Sequence, residues 1–275
     1  MISEQNISWP HGVSSVRVEK WMAALLLASS MLTSCGFDRT PPSSKAAIFA
    51  ILTGDWLNAI ANSRDWAVAD PDSPVPHFLL DVAWTYAGNN SESRIELRKA
   101  FGRVGNIDVL DGWTSQLVED HPSNPYAYLL RGLVQEASDR SAPAIESYNF
   151  AIQIAPTFKP AYSSLGNLYL SSKQLDKAQK TYRQIAAIDP NDGTPHTQIG
   201  TIYAVRGNTR EAIVEFEKAC EMNPSDLEAH FNLANAYLET GASTKARTAF
   251  ERVSQLDPKG EIGNEARSRL ARLSP

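Results

Sequence analysis

Residues Leu165–Pro190 read LGNLYLSSKQLDKAQKTYRQIAAIDP, and the pattern recurs at a fixed distance. Pro156, Pro190, Pro224 and Pro258 are spaced by the same thirty-four positions each time. A period of this length signals stacked helical units, because one such unit cannot bury its apolar face alone. Aligned on the prolines, Gly132, Gly166, Gly200 and Ala234 fall in one column. Ala144, Ala178, Ala212 and Ala246 form a second, and Tyr148, Tyr182, Phe216 and Phe250 a third. Tyr169, Tyr203 and Tyr237 make a fourth, which the first unit breaks with Gln135. Leu165, Ile199 and Leu233 precede the small residue, where the first unit has Arg131. Small side chains at matching heights let two helices approach closely. Aromatic rings are expected to fill the space between one hairpin and the next. Proline ends the second helix because it cannot continue the hydrogen-bond ladder.

These columns resemble the tetratricopeptide repeat family, whose pattern runs W-x2-L-G-x2-Y, then A-x3-F, then P. The resemblance extends from Pro125 to Pro258. It implies an all-α fold, a right-handed α-solenoid of helix hairpins, with four repeats over 123–260. Ser225 and Glu228 fit a capping box opening the fourth unit. Residues 261–275 supply a terminal helix, EIGNEARSRLARL from Glu261 to Leu273, with Arg267, Arg269 and Arg272 expected outward. A polar terminal helix closes an exposed solenoid end.

Residues 45–122 have helical spacing of apolar residues and no alternating strands. Ala59 stands as far before Pro71 as Ala178 stands before Pro190, so this stretch contains a second-helix half of the same unit. Val109-Leu110 to Pro122 is a poorer copy, and His77–Gly88 with Glu92–Phe101 reads as an eroded pair. Pro122 lies one and a half periods beyond Pro71, so the phase slips. The segment is read as a divergent helical domain, either packed on the repeats or joined to them at 121–125.

Residues 1–34 read as a secretory signal. Trp21–Leu32, WMAALLLASSML, is an apolar run too short to span a bilayer, which takes about 20 residues. Arg17 and Lys20 precede it, and Leu32-Thr33-Ser34-Cys35 closes it. This resembles the bacterial lipobox and implies acylation of Cys35, anchoring by acyl chains and a tether over 35–44. Neither Gly36 nor Phe37 is the Asp that in such proteins signals inner-membrane retention. The resemblance therefore implies an outer-membrane lipoprotein facing the periplasm. In the polyproline form Phe37–Ser44 would reach roughly 25 Å, at ~3.1 Å per residue.

The chain has 275 residues, 43 % of them apolar, and a formal charge of −5. That charge lacks the basic footprint of a general nucleic-acid binder. Two cysteines, Cys35 and Cys220, cannot form a disulfide scaffold. The sequence has no HExxH, GxSxG, P-loop or CxxC motif, so no catalytic residue, cofactor site or metal site is assigned. His196 and His230 stack one period apart, in a column that Tyr128 and Tyr162 also occupy, which favours packing over a metal pair.

Stacking aligns first-helix residues along a concave groove. Ser164, Gln198 and Asn232 form one row there, and Asn167, Thr201 and Asn235 the next. Amides and hydroxyls at regular spacing can hydrogen-bond an extended peptide; the alternative is a solvated polar face. Leu129, Leu133, Leu170, Ala204, Val205, Phe231 and Leu238 would add apolar contact to the groove or bury against the N-terminal helices. Without Lys or Arg in these rows, capture of a chain-terminal carboxylate is disfavoured. The expected function is a lipid-anchored adaptor or scaffold that holds peptide segments of envelope proteins. The alternative is a structural oligomerisation module whose groove is filled by its own N-terminal helices. Expected partners are envelope proteins or peptides, and the membrane through the anchor.

Overall fold

The computed structural model describes residues 41–88, 90–103 and 105–273, so the expected lipobox and the apolar run before it lie outside the described residues. Among the described residues there are fourteen helices and no strand. In order they are α1 (Pro42–Thr53), α2 (Trp56–Ala69), α3 (Pro74–Tyr86), α4 (Asn90–Phe101), α5 (Asn106–Asp120), α6 (Pro125–Ala137) and α7 (Ser141–Ile154). They continue as α8 (Lys159–Ser171), α9 (Leu175–Ile188), α10 (Thr194–Val205), α11 (Thr209–Met222), α12 (Leu227–Glu239), α13 (Ser243–Leu256) and α14 (Glu261–Arg272). No described helix is long and apolar enough to cross a membrane.

The four columns have distinct jobs in the structure. Ala144, Ala178, Ala212 and Ala246 are fully buried. The third-column aromatics pack mainly inside their own hairpin rather than only between hairpins. A Cβ added to Gly132 would collide with the Tyr148 ring, at Gly166 it would stand 2.8 Å from Tyr182, and at Gly200 2.6 Å from Phe216. The absent side chain is therefore the socket for a ring from the partner helix. The fourth column joins successive units: Tyr169 packs in both the α7–α8 and the α9–α10 clusters, and Tyr203 in both the α9–α10 and the α11–α13 clusters. Each second helix stops just short of its proline, at Ile154, Ile188, Met222 and Leu256.

The N-terminal half follows the same frame for longer than its residues announce. Counting back from Pro71, Ala47 falls in the glycine column and Ala59 in the alanine column, and both are fully buried. Thus α1 and α2 form a complete hairpin. One period beyond Pro71 stands Gly105, which places Asp81 and Ser93 in those two columns. Ser93 Oγ donates to Asp81 Oδ1 at 2.6 Å, so a hydrogen bond joins α3 and α4 where the regular units use bare contact. The pair His77 Nδ1–Glu96 Oε2, 2.6 Å, repeats His196 Nδ1–Glu215 Oε2, 2.7 Å, at the same frame positions. The slip is therefore confined to α5, one helix added between Gly105 and Pro122.

Pro42–Ser44 begin α1 instead of continuing the expected tether. Pro42 occupies the first helical turn, where its fixed φ suits the helix, and Ser44 Oγ donates to the Pro41 carbonyl at 2.7 Å. The fourth regular unit is capped by Asp226 rather than Ser225: Asp226 Oδ1 accepts the Ala229 amide at 3.0 Å. Ser225 Oγ donates instead to Asn223 Oδ1 at 2.7 Å, which removes it from the expected capping box.

One apolar core runs from α1 to α6 and includes Ala47, Phe78, Leu110, Leu130 and Val134. Trp56 of α2 stacks on Tyr86 at 4.8 Å and meets Tyr126 edge-on at 5.6 Å, while Tyr126 meets Phe158 at 4.6 Å. Asn124 caps α6 by accepting the Tyr126 amide, and its Nδ2 donates to the Leu52 carbonyl at 3.1 Å. The N-terminal helices and the regular repeats thus share both core and polar ties.

Candidate functional site

The groove is set by the first helices α8, α10 and α12, the first two held near α9 and α11 by the ring-in-socket contacts and the third packed on α13 through Ala234 and Phe250. The structure separates the six sequence-predicted residues into two groups. Ser164 on α8 lies beside the hydroxyls of Tyr86 and Tyr148, and the Tyr148 hydroxyl donates to Glu136 Oε2 at 2.7 Å. Asn167 is exposed, but its Oδ1 accepts the Tyr182 hydroxyl at 2.6 Å. Gln198 lies beside Glu228, a carboxyl pushed up by burial and then by neighbouring Asp226, with Gln198 working the other way. Ser164 and Gln198 thus lie among neighbours within the fold, while Asn167, like Asn235, is held by its oxygen and has no partner for its amide nitrogen among the described residues.

Thr201, Asn232 and Asn235 come together. They line one depression with Ala204, Val205 and Glu239, and Phe216 lies at its floor. Thr201 Oγ1 donates to the Thr197 carbonyl at 3.0 Å, and Asn232 Nδ2 stands 3.5 Å from Thr201 Oγ1. Asn235 Oδ1 accepts Arg269 Nη1 at 2.8 Å. Among the described residues the Asn235 amide nitrogen and the Asn232 carbonyl oxygen have no partner. One donor and one acceptor therefore face the depression, beside Val205, whose side chain is 63 % exposed. That combination suits an extended backbone, which offers one acceptor and one donor per residue.

The apolar residues divide in the same way. Leu129 is fully buried, and Leu133 packs into the N-terminal core. Leu170 packs in the α9–α10 cluster and Leu238 in the C-terminal one, whereas Ala204 and Val205 stay open.

Arg269 corrects two expectations. It lies one repeat period after Asn235, so it continues the Asn167, Thr201, Asn235 row into α14. It points to the groove end rather than outward, stacks over Phe231 at 5.7 Å and pairs with Glu265 at 2.9 Å. The groove therefore does contain a cation, because helix periodicity brings α14 into the same row. One further period in the sequence would have found it. Arg267 also turns inward, donating to Ser254 Oγ at 3.1 Å.

His196 and His230 engage separate partners: Glu215 for the first, and the Pro224 carbonyl at 3.2 Å for the second. Burial, followed by nearby Asp226, Glu217 and Glu221, pushes the Cys220 thiol up to about 12, so it is a poor thiolate.

Family models support the repeat reading. Two models described as tetratricopeptide repeat match residues 137–197 and 227–259, and one described as TPR repeat matches 200–241. No curated protein matches the chain. Among solved structures, TTC0263, a thermophilic TPR protein of Thermus thermophilus, is similar at 18 % identity and a TM-score of 0.52. The match covers 73 % of this chain and 98 % of that one. MamA of Desulfovibrio magneticus matches at 16 % identity and a TM-score of 0.47, over 68 % of this chain and 96 % of that one. YrrB, described as a TPR protein with an unusual peptide-binding site, matches at 15 % and 0.47, over 75 % and 97 %. Likeness at these identities is a likeness of fold. The column geometry and the family models agree: this all-helical chain carries tetratricopeptide repeats across residues 137–259.

Proposed function

We propose that this protein is a lipid-anchored adaptor that holds extended peptide segments of cell-envelope proteins. Tetratricopeptide repeats serve protein–protein interaction, and the depression at Thr201, Asn232 and Asn235 is the peptide seat. The observation that carries this reading is the unpartnered Asn235 amide beside exposed Ala204 and Val205. A peptide backbone would satisfy the amide while its side chains cover the apolar residues. The anchor is the acylated Cys35, supported by the order of basic leader, apolar run, small residues and Cys in the sequence. Attachment to the outer membrane facing the periplasm follows from the residues after Cys35.

A photo-crosslinking amino acid in place of Val205 tests the seat, with the same group in place of Val214, 62 % exposed on α11, as control. Adducts with envelope proteins at 205 alone are expected. Equal labelling at both positions, or none at 205, contradicts the reading. Palmitate incorporation that survives Cys35→Ala would contradict the anchor.

The Tyr86–Ser164 contact favours a second reading at one end of the groove. There Tyr86 of α3, stacked on Trp56, reaches Ser164, which supports a groove filled in part by the N-terminal helices, as in an oligomerisation or structural module. A peptide-free dimer by light scattering, broken by Val205→Glu, would favour that reading over the adaptor.

A further inference from the structure

The helix nearest Cys35 carries a surface that the groove does not use. On α1, Ala47, Ala50 and Ile51 are buried, while Lys45 and Ala46 are exposed and Phe49 is 45 % exposed. Lys45 and Phe49 are one turn apart and share a face. The helix has no acidic residue, although the chain has 31 Asp and Glu. Lys45 has no acidic partner among the described residues. On α2, Leu57 is 77 % and Val68 84 % exposed, on one stripe with exposed Ala61. At the opposite end of the chain, α14 exposes Glu261, Asn264, Glu265, Ser268 and Arg272. The α1 face is thus basic and apolar, while α2 carries exposed Asp65 beside Arg64 and α14 exposes one large apolar side chain, Ile262 at 39 %.

Covalent length supplies the second observation. Only the short stretch Gly36–Pro41 separates Cys35 from Pro42, and at about 3.6 Å per residue the chain between the two Cα atoms spans at most roughly 25 Å. A helix with its side chains is about 10 Å across, so an acylated Cys35 keeps the start of α1 within two to three helix diameters of the membrane and within reach of its surface.

We infer that the α1–α2 hairpin docks on the bilayer, with Lys45 among anionic lipid phosphates and Phe49 and Leu57 at the acyl boundary. The inference rests on the lipid-anchor reading. Lys and an aromatic on one face suit an interfacial helix, whose binding combines apolar burial with attraction to anionic lipid. Docking through this end leaves the open part of the groove, on α10 and α12, clear of the surface.

The test uses the full acylated chain on vesicles of phosphatidylethanolamine and phosphatidylglycerol. Nitroxide labels are placed by Phe49→Cys, Leu57→Cys and, as control, Val214→Cys, each with Cys220→Ala. Labels at 49 and 57 should be more accessible to oxygen than to a nickel chelate, and the label at 214 the reverse. If the protein floats with vesicles while labels 49 and 57 stay aqueous, docking is wrong and the anchor stands. If it does not float, both fall.

Discussion

Asn235 Oδ1 accepts a hydrogen bond from Arg269 Nη1 at 2.8 Å, across a sequence separation of one repeat period. The contact makes α14 the first helix of a further unit rather than a detached cap. It also fixes the edge of the peptide seat, because Asn235 is held by its oxygen and presents its nitrogen. Arg269→Ala should therefore loosen α14, costing about 1–3 kcal/mol for a hydrogen bond from a charged group. Urea denaturation measures the cost; an unchanged midpoint would show that the contact is incidental.

Two glycine-to-alanine changes should act with opposite sign. Gly132→Ala drives a methyl group into the Tyr148 ring and should destabilise by about 1–3 kcal/mol. Gly112 is exposed on α5 with nothing within 4 Å of its would-be Cβ. Gly112→Ala should stabilise by roughly 0.5–1 kcal/mol through helix propensity. Thermal denaturation of the two variants separates socket packing from propensity; shifts of the same sign would contradict the packing account.

The alanine column gives a parallel test. Ala178 is fully buried between α8 and α9, and Ala178→Trp should cost on the order of 1–3 kcal/mol or more by overpacking. Nearest-neighbour coupling should spread the loss to the units on either side, which amide hydrogen exchange resolves. Protection unchanged in α6–α7 and α10–α11 would contradict that coupling.

Glu96 makes the α3–α4 hairpin acid-sensitive. Its side chain is nearly buried and accepts from Lys99 Nζ at 2.7 Å as well as bonding His77. Burial works to raise its carboxyl, but the bonds and charges of Lys99 and His77 outweigh that and hold it below the ordinary value. A depressed carboxyl stabilises the fold above its unfolded value and loses that contribution as pH falls through its folded value. Glu96→Gln should cost about 1–3 kcal/mol near neutral pH, and the difference from wild type should shrink on acidification. Asp81 has the opposite sign: burial raises its carboxyl, Ser93 lowers it less, and Glu96 adds to the rise. Asp81→Asn should therefore raise the melting temperature at neutral pH, with a gain that fades in acid.

The regular units were legible because their columns are steric: glycine beside a ring and alanine at a crossing leave a direct mark on sequence. The α3–α4 hairpin was not, because Asp81 and Ser93 reach the same close approach through a hydrogen bond. Its stop is Gly105, at φ 90°, rather than proline. The groove rows followed from counting, but their availability did not. Nothing in the spacing reveals that Tyr182 engages Asn167, or that Tyr86 and Tyr148 crowd beside Ser164. Asp226 displaced Ser225 as the cap because both can accept from the first turn, and neighbouring Asn223 decides between them.

The peptide seat is tested most directly by the affinity of library-selected extended peptides for wild type and Ala204→Arg, measured by fluorescence polarisation. Ala204 is exposed at the open depression, so the substitution should leave the melting temperature unchanged while lowering affinity at least about tenfold, or ~1.4 kcal/mol. Peptides that bind both forms equally would show that the depression is only a solvated face.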